Sequence, residues 1–171
     1  MRYLLTAALA AMTLALAPAA ARAEGASSTE DDVGFRGWGP RLGVTFDPDQ
    51  FHVGAHMDFG NFARHIRIQP NIEAGFGDDV TLVTANLDAA YRFSDRWDGW
   101  TPYLGGGLGL VFADAGDDGL SDDTETDVGA SILGGVDRGL SGGDRFFVEG
   151  KLGLTDAMPD GMLTVGWTFY H

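Results

Sequence analysis

Residues 65–93 read HIRIQPNIEAGF, then GDD, then VTLVTANLDAAYRF, and this stretch decides the fold class. Between Ile66 and Phe76, apolar residues occupy every second position, with polar residues or glycine between them. The second run alternates in the same way from Thr81 to Phe93. Successive side chains point to opposite faces only in a β-strand. Two such runs around a short Gly-Asp-Asp turn predict a β-hairpin.

The period-two pattern of this hairpin continues through most of the chain. It predicts further strands at residues 38–46, 51–59, 102–112, 126–137, 145–155 and 161–171, with the longest loop at 113–125. Eight antiparallel strands joined mostly by short turns form an up-and-down barrel when they close on themselves, and closure leaves no exposed edge. Pro70 cannot donate to the strand ladder, so a bulge or local irregularity is expected there.

The first 23 residues have the organisation of a secretory signal peptide. A charged start at Arg2 precedes an apolar run from Tyr3 to Ala17, and Ala21-Arg22-Ala23 provides a small-residue cleavage site. The apolar run is shorter than the roughly 20 residues that a membrane-spanning helix needs. We therefore predict export and cleavage after Ala23, a flexible acidic leader at residues 24–37, and one barrel domain at residues 38–171.

Composition excludes some classes of function. The chain of 171 residues carries a formal net charge of −14, and removal of residues 1–23 takes away two arginines and no acidic residue. A basic face is needed to bind nucleic acid, so nucleic acid is excluded as an expected partner. The chain has no cysteine, so its stability must come from packing and from the hydrogen-bond ladder rather than from disulfides.

Alternation alone does not say which face of the sheet is buried, because a soluble barrel hides its apolar face and a transmembrane barrel turns it to lipid. The aromatic residues favour the transmembrane arrangement. They lie near strand ends and turns, as expected for bands at two lipid interfaces, while aliphatic residues occupy the strand middles. One end collects Trp38, Phe59, Phe62, Tyr91, Phe93, Trp97, Trp100, Tyr103, Phe146, Phe147, Trp167, Phe169 and Tyr170, and the other collects Phe46, Phe51, Phe76 and Phe112.

The polar face and the strand length favour the same arrangement. Eight strands enclose an interior only wide enough for side chains, so small residues must alternate there with large ones. Most runs also approach the roughly 9–11 residues with which a tilted strand spans a bilayer. The predicted fold is therefore an all-β, eight-stranded, antiparallel, up-and-down transmembrane β-barrel. Its polar face holds Gly43, Gly54, Gly75, Gly105, Gly107, Gly109, Gly129 and Gly153.

Three stretches carry a resemblance to a known group of proteins: residues 67–93, the strand PYLGGGLG at 102–109 and the ending LTVGWTF at 163–169. With them, residues 38–171 resemble the small eight-stranded outer-membrane β-barrels of the OmpX- and OmpA-like group. The resemblance implies a structural, adhesion or surface-interaction role in the bacterial outer membrane, without a defined reaction. It implies no catalytic, cofactor-binding or metal-binding residue. It does imply contact with outer-membrane lipid and lipopolysaccharide, and a monomer whose protein partner the sequence does not identify. Both chain ends are expected in the periplasm and loop 113–125 outside.

Charged residues recur on the polar face of the predicted strands. Because buried charges need partners and both signs are present, we expect them to form a charge-paired plug that fills the barrel. A narrow conducting path is the alternative, which eight strands fit poorly. The predicted interior charges are Arg41, Arg67, Arg92, Lys151, Asp58, Glu73, Asp88, Asp137 and Glu149.

Two further sets of residues suggest chemistry. His52, His56 and Asp58 share a face of the second strand, as a base with an orienting carboxylate would, and some outer-membrane barrels are lipid-modifying enzymes. No His-x-Ser pair accompanies them, so we expect structural histidines. A soluble periplasmic barrel with an apolar ligand inside is a further alternative.

The longest loop and its ends are rich in carboxylates, which are hard oxygen ligands that could hold Ca²⁺. Their spacing does not fit an EF-hand, so a solvated loop is expected. The carboxylates are Asp114, Asp117, Asp118, Asp122, Asp123, Glu125 and Asp127.

Overall fold

The computed structural model describes residues 33–77, 81–114 and 125–170. The signal peptide predicted at residues 1–23 and most of the predicted leader lie outside these ranges. Every regular element within them is a β-strand. The strands are β1 (Val33–Phe46), β2 (Gln50–Ala63), β3 (Ile66–Phe76), β4 (Thr81–Arg92), β5 (Trp100–Asp114), β6 (Glu125–Gly139), β7 (Arg145–Gly153) and β8 (Gly161–Tyr170).

The eight strands form one closed antiparallel barrel in sequence order, with β8 paired to β1. Each side chain of one strand therefore faces the same side as its cross-strand partner. The barrel has a near end, where β1 begins and β8 ends, and a far end, which holds the turn between β1 and β2. Within the described ranges, no helix is long and apolar enough to cross a membrane. The predicted fold class is confirmed.

The polar face of every strand points into the barrel and the apolar face points out. Arg41, Asp58 and Glu149 are only 2%, 2% and 3% exposed, whereas Leu87 and Leu108 are 55% and 66% exposed in mid-strand. An apolar ligand carried inside would meet charged side chains, whose desolvation is costly. The arrangement therefore contradicts the alternative of a soluble barrel around an apolar ligand.

Aromatic side chains form bands on the outer surface near both ends. At the near end the ring centroids of Phe146 and Trp167 are 4.5 Å apart, and those of Trp38 and Phe169 are 6.0 Å apart. Three aromatic residues of this end lie on the polar face of their strands and point into the barrel, so they do not belong to the outer band. Their rings fill space beside arginines, and two of their hydroxyls bind carboxylates; these are Tyr103, Phe147 and Tyr170.

Two local expectations meet different outcomes. The leader predicted at residues 24–37 is wrong in its last five residues, because β1 begins at Val33 and Gly37 already pairs with Asp58 of β2. The irregularity expected at Pro70 is confirmed on one side only. Pairing between β3 and β4 is continuous at Pro70, while pairing with β2 shifts register between Asn71 and Arg67, where β2 carries one extra residue.

Candidate functional site: the charged barrel interior

Ion pairs join charged side chains from six of the eight strands inside the barrel. All nine charged residues predicted for the interior take part, and Arg145 of β7 joins them. Five of these side chains are basic and five are acidic, so the ten together are balanced in charge. This balance is what a low-dielectric interior requires, because unpaired buried charges are strongly destabilising.

Arg41 is the centre of one group of these contacts. Its Nη2 donates a hydrogen bond of 2.7 Å to Oε1 of Glu149, and its Nε is 2.7 Å from Oε1 of Glu73 in an ion pair without hydrogen-bond geometry. The Tyr103 hydroxyl donates to the other oxygen of Glu149 at 3.0 Å. The guanidinium also lies 5.7 Å from the ring centroid of Phe147. One arginine therefore links strands β1, β3 and β7 across the barrel.

A second set of contacts surrounds Asp88 of β4. Lys151 Nζ donates to Oδ2 of Asp88 at 2.9 Å, and Asn71 Nδ2 donates to the same oxygen at 2.7 Å. Asn86 continues the chain, since its Nδ2 donates to Oδ1 of Asn71 at 2.9 Å. Glycines opposite these residues make the room, because an added Cβ at Gly107 would meet the carboxylate of Asp88.

Asp137 of β6 holds arginines together toward the near end. Arg92 binds it with two parallel hydrogen bonds, from Nε at 2.9 Å and from Nη2 at 2.7 Å, the strong fork geometry of guanidinium and carboxylate. Arg67 Nη1 and Arg145 Nε each lie 3.8 Å from an oxygen of Asp137. One carboxylate therefore has three arginine neighbours.

Asp58 of β2 is the other carboxylate at this end. Its Oδ2 accepts from Arg145 Nη1 at 3.2 Å and from the Tyr170 hydroxyl at 2.7 Å, and its Oδ1 accepts from the backbone N–H of Gly60 at 2.8 Å. The Arg145 guanidinium also lies 4.9 Å from the Tyr170 ring centroid. Strands β2, β7 and β8 are thereby joined at the near end.

His52 and His56 each lie beside a threonine hydroxyl of β8. His52 Nε2 is 3.0 Å from Oγ1 of Thr164, and His56 Nε2 is 2.8 Å from Oγ1 of Thr168. The His56 and Phe147 rings also make a T-shaped contact, with their centroids 5.2 Å apart. Both histidines are buried in the interior at 1% and 2% exposure, so neither reaches the outer surface. Asp58 binds Arg145 and Tyr170, and no hydrogen bond or ion pair joins it to a histidine among the described residues.

The sequence pattern missed some of the partners. Arg145 stands at the start of the strand-seven run, two residues before Phe147 on the inward face, and this spacing was the signal that could have found it. Asn71 and Asn86 stand at polar positions of the alternating runs, which give no role for them; in the structure Asn71 donates to Asp88 and Asn86 donates to Asn71. In the part of the chain that the structure describes, no three potential metal ligands converge. Residues 115–124 of the acidic loop lie outside it.

Comparison with known proteins shows the class to which this fold belongs. The chain matches no protein-family model, and no curated protein matches it significantly. Neisserial surface protein A is similar over 80% of this chain and 96% of its own, with 17% identity and a TM-score of 0.61. The N-terminal β-barrel domain of Pseudomonas aeruginosa OprF is similar over 80% of this chain and 99% of its own, with 20% identity and a TM-score of 0.54. The Yersinia pestis outer membrane protein Ail also matches, with 10% identity, a TM-score of 0.46 and coverage of 78% and 99%.

The first two likenesses show the fold. The chain has the fold of the small eight-stranded outer-membrane β-barrels, as the resemblance predicted. At these identities no activity, ligand or partner follows from the neighbours.

Proposed function

We propose that this chain is a bacterial outer-membrane β-barrel with a structural or surface-interaction role and no catalytic reaction. One observation carries the proposal: the barrel is inverted, with paired charges inside and an aliphatic surface between aromatic bands outside. Hydrocarbon selects such a surface and water does not. The interior pairs act as a plug that holds the strands together, which leaves the loops and rims for contact with other molecules.

The connections between strands support an orientation. At the near end, β2 and β3 are separated by only two residues, whereas the longest gap between strands, residues 115–124, is at the far end. Outer-membrane barrels have short periplasmic turns and longer external loops. The proposal therefore places the near end in the periplasm and the far end outside. It includes export through a cleaved signal peptide, a monomeric state, and lipid and lipopolysaccharide as neighbours.

The lipid-modifying enzyme is the competing proposal. A histidine beside a hydroxyl is a plausible base and nucleophile pair, and His52 with Thr164 has this arrangement. Thr164 is only 2% exposed, so a lipid ester held outside the barrel would not reach its oxygen. A lipid-modifying activity that is lost in His52→Gln but kept in folded His65→Gln would favour the enzyme.

Electrophoresis of membrane fractions tests the proposal. The cleaved protein should be found in the outer membrane, require detergent for extraction, and run at a different mobility when it is boiled in SDS than when it is not. A closed barrel whose hydrogen bonds are all satisfied between strands resists unheated SDS. A soluble periplasmic band without this mobility shift would contradict the membrane assignment.

A further inference from the structure

A cavity opens at the near end of the barrel, and arginines dominate its lining. Its volume is about 570 Å³, and it extends from turn residues Arg64 and His65 to the buried side chains of Asp58 and Arg67. Cavities of this size, within about 300–1,000 Å³, hold small molecules in other proteins. The arginines that line it are Arg36, Arg64, Arg67, Arg92 and Arg145.

Arginines outnumber carboxylates in the described lining of the cavity. Asp58 is the one carboxylate in the described lining. Asp137 is not part of that lining, but it forms ion pairs with three of the five arginines. The whole protein carries a net charge of −14, so a free anion meets repulsion over most of its surface. A cleft lined with one sign of charge focuses the local potential and attracts the opposite sign.

Arg67 is a buried arginine of this lining with donors that have no hydrogen-bond partner. Its side chain is 3% exposed, yet its Nε and Nη1 donate no hydrogen bond. The nearest carboxylate oxygen to Nη1, on Asp137, is 3.8 Å away, beyond hydrogen-bond distance, and the Tyr103 ring lies on the guanidinium face at 5.1 Å. Buried polar groups in proteins are normally satisfied, and an unsatisfied N–H in a native structure requires an explanation.

We propose that this near-end cavity binds a phosphate group that carries two or more negative charges. The planar guanidinium presents paired donors that match two phosphate oxygens at once, and several arginines converge here on one space. A phosphate in the cavity would give the buried Arg67 guanidinium an anionic neighbour and would lie among the arginines of the lining. The group can be supplied by a soluble phosphate ester or by the headgroup of a lipid at the membrane surface, since both present the same oxygens.

Calorimetric titration with inorganic pyrophosphate tests the site. The full-length mature protein is placed in nanodiscs of phosphatidylcholine, which carries no net charge, and its folding is checked by mobility in unheated SDS. We expect saturable binding of one pyrophosphate per barrel that weakens as NaCl rises. In Arg67→Gln the dissociation constant should rise about tenfold or more, since hydrogen bonds to charged groups are among the strongest.

Arg138→Gln is the matched control, because it removes the same charge from an exposed arginine outside the cavity. Its affinity should equal that of the unchanged protein. If Arg67→Gln fails the folding check, Arg64→Gln replaces it, since Arg64 lies in a turn and lines the cavity. Absence of saturable binding, or equal weakening in the cavity and control variants, would overturn the proposal.

A second arm identifies the source of the phosphate. Protein released from nanodiscs that contain phosphatidylglycerol is analysed by native mass spectrometry. A retained phosphatidylglycerol that is present in Arg138→Gln and lost in Arg67→Gln supports the site with a lipid headgroup as its ligand. Pyrophosphate binding without a retained lipid supports the site with a soluble phosphate ester. A lipid retained equally by both variants, together with no pyrophosphate binding, contradicts it.

Discussion

At the scale of single residues, Glu149 is the hydrogen-bond acceptor that holds Arg41 and Tyr103 in the barrel interior. It takes hydrogen bonds from Arg41 and Tyr103, both buried. In Glu149→Gln, Arg41 keeps only Glu73 as a near carboxylate, and a buried charge loses a partner. We expect the free energy of unfolding to fall by about 3 kcal/mol. Urea titration of the barrel in phospholipid vesicles, followed by tryptophan fluorescence, measures the change.

Asp95→Asn provides the control for this prediction, because it neutralises an exposed carboxylate between β4 and β5. Exposed substitutions away from special contacts usually change the free energy of unfolding by less than about 0.5 kcal/mol. Equal stability of Glu149→Gln and Asp95→Asn would show that the interior pairs do not stabilise the barrel.

The sequence predicted which charged residues face inward but not which partners they bind. Alternation assigns Arg41 and Glu149 to the polar face, and strand order places them 108 residues apart on β1 and β7. Both strands pair with β8, so their contact spans one intervening strand and depends on how the closed sheet staggers its strands. Tyr170 shows the same limit: alternation puts it on the polar face of the last strand, but it does not predict that its hydroxyl binds Asp58 of β2.

At the scale of strands, glycines on β5 make room for the polar side chains of β4. Gly107 pairs with Asp88, and an added Cβ would meet the Asp88 carboxylate, which Lys151 and Asn71 hold in place. We expect Gly107→Ala to lower the free energy of unfolding by about 1–3 kcal/mol, as overpacking does. The urea titration of the barrel in vesicles measures it.

Gly150→Ala on β7 is the matched control for this substitution. Gly150 is exposed, and its added Cβ would have only backbone oxygens near it, at 3.9 Å and 4.0 Å. An alanine loses less backbone freedom on folding than glycine, so this variant should be unchanged or more stable by about 0.5–1 kcal/mol. Similar losses of unfolding free energy in both variants would mean that these glycines are needed for the backbone conformation and not to make space for interior side chains.

Strand order and facing could be predicted from the alternation, while strand length could not. The start of β1 at Val33 lies in a stretch that reads as a polar leader, and it becomes a strand because β2 continues far enough to pair with it. Partners across the sheet therefore decide where a strand begins, and local pattern does not. An irregularity at Pro70 could be predicted because proline has no backbone N–H in any surroundings. The register shift in the pairing of β3 with β2 lies at this position.

At the scale of the whole molecule, burial of polar side chains is what distinguishes this barrel from a soluble one. The aliphatic surface of β4 and β5 is continuous, since Leu87 pairs with Leu108, and both are more than half exposed. In water such a surface would drive association. Against hydrocarbon it is the stable arrangement, and the polar side chains then need partners inside the barrel, as the backbone groups do between strands.

The depth of a charge on this surface therefore gives a test of the membrane arrangement. Leu108 lies in the middle of β5 and is 66% exposed, while Leu154 lies just beyond β7 at the far end and is 60% exposed. Leu108→Arg should lower the free energy of unfolding in phospholipid vesicles by about 2–4 kcal/mol, and Leu154→Arg by about 0–1 kcal/mol, because arginine is costly only near the bilayer midplane. The two leucines are about equally accessible, so water would treat both substitutions alike. Equal effects would contradict a lipid-facing surface.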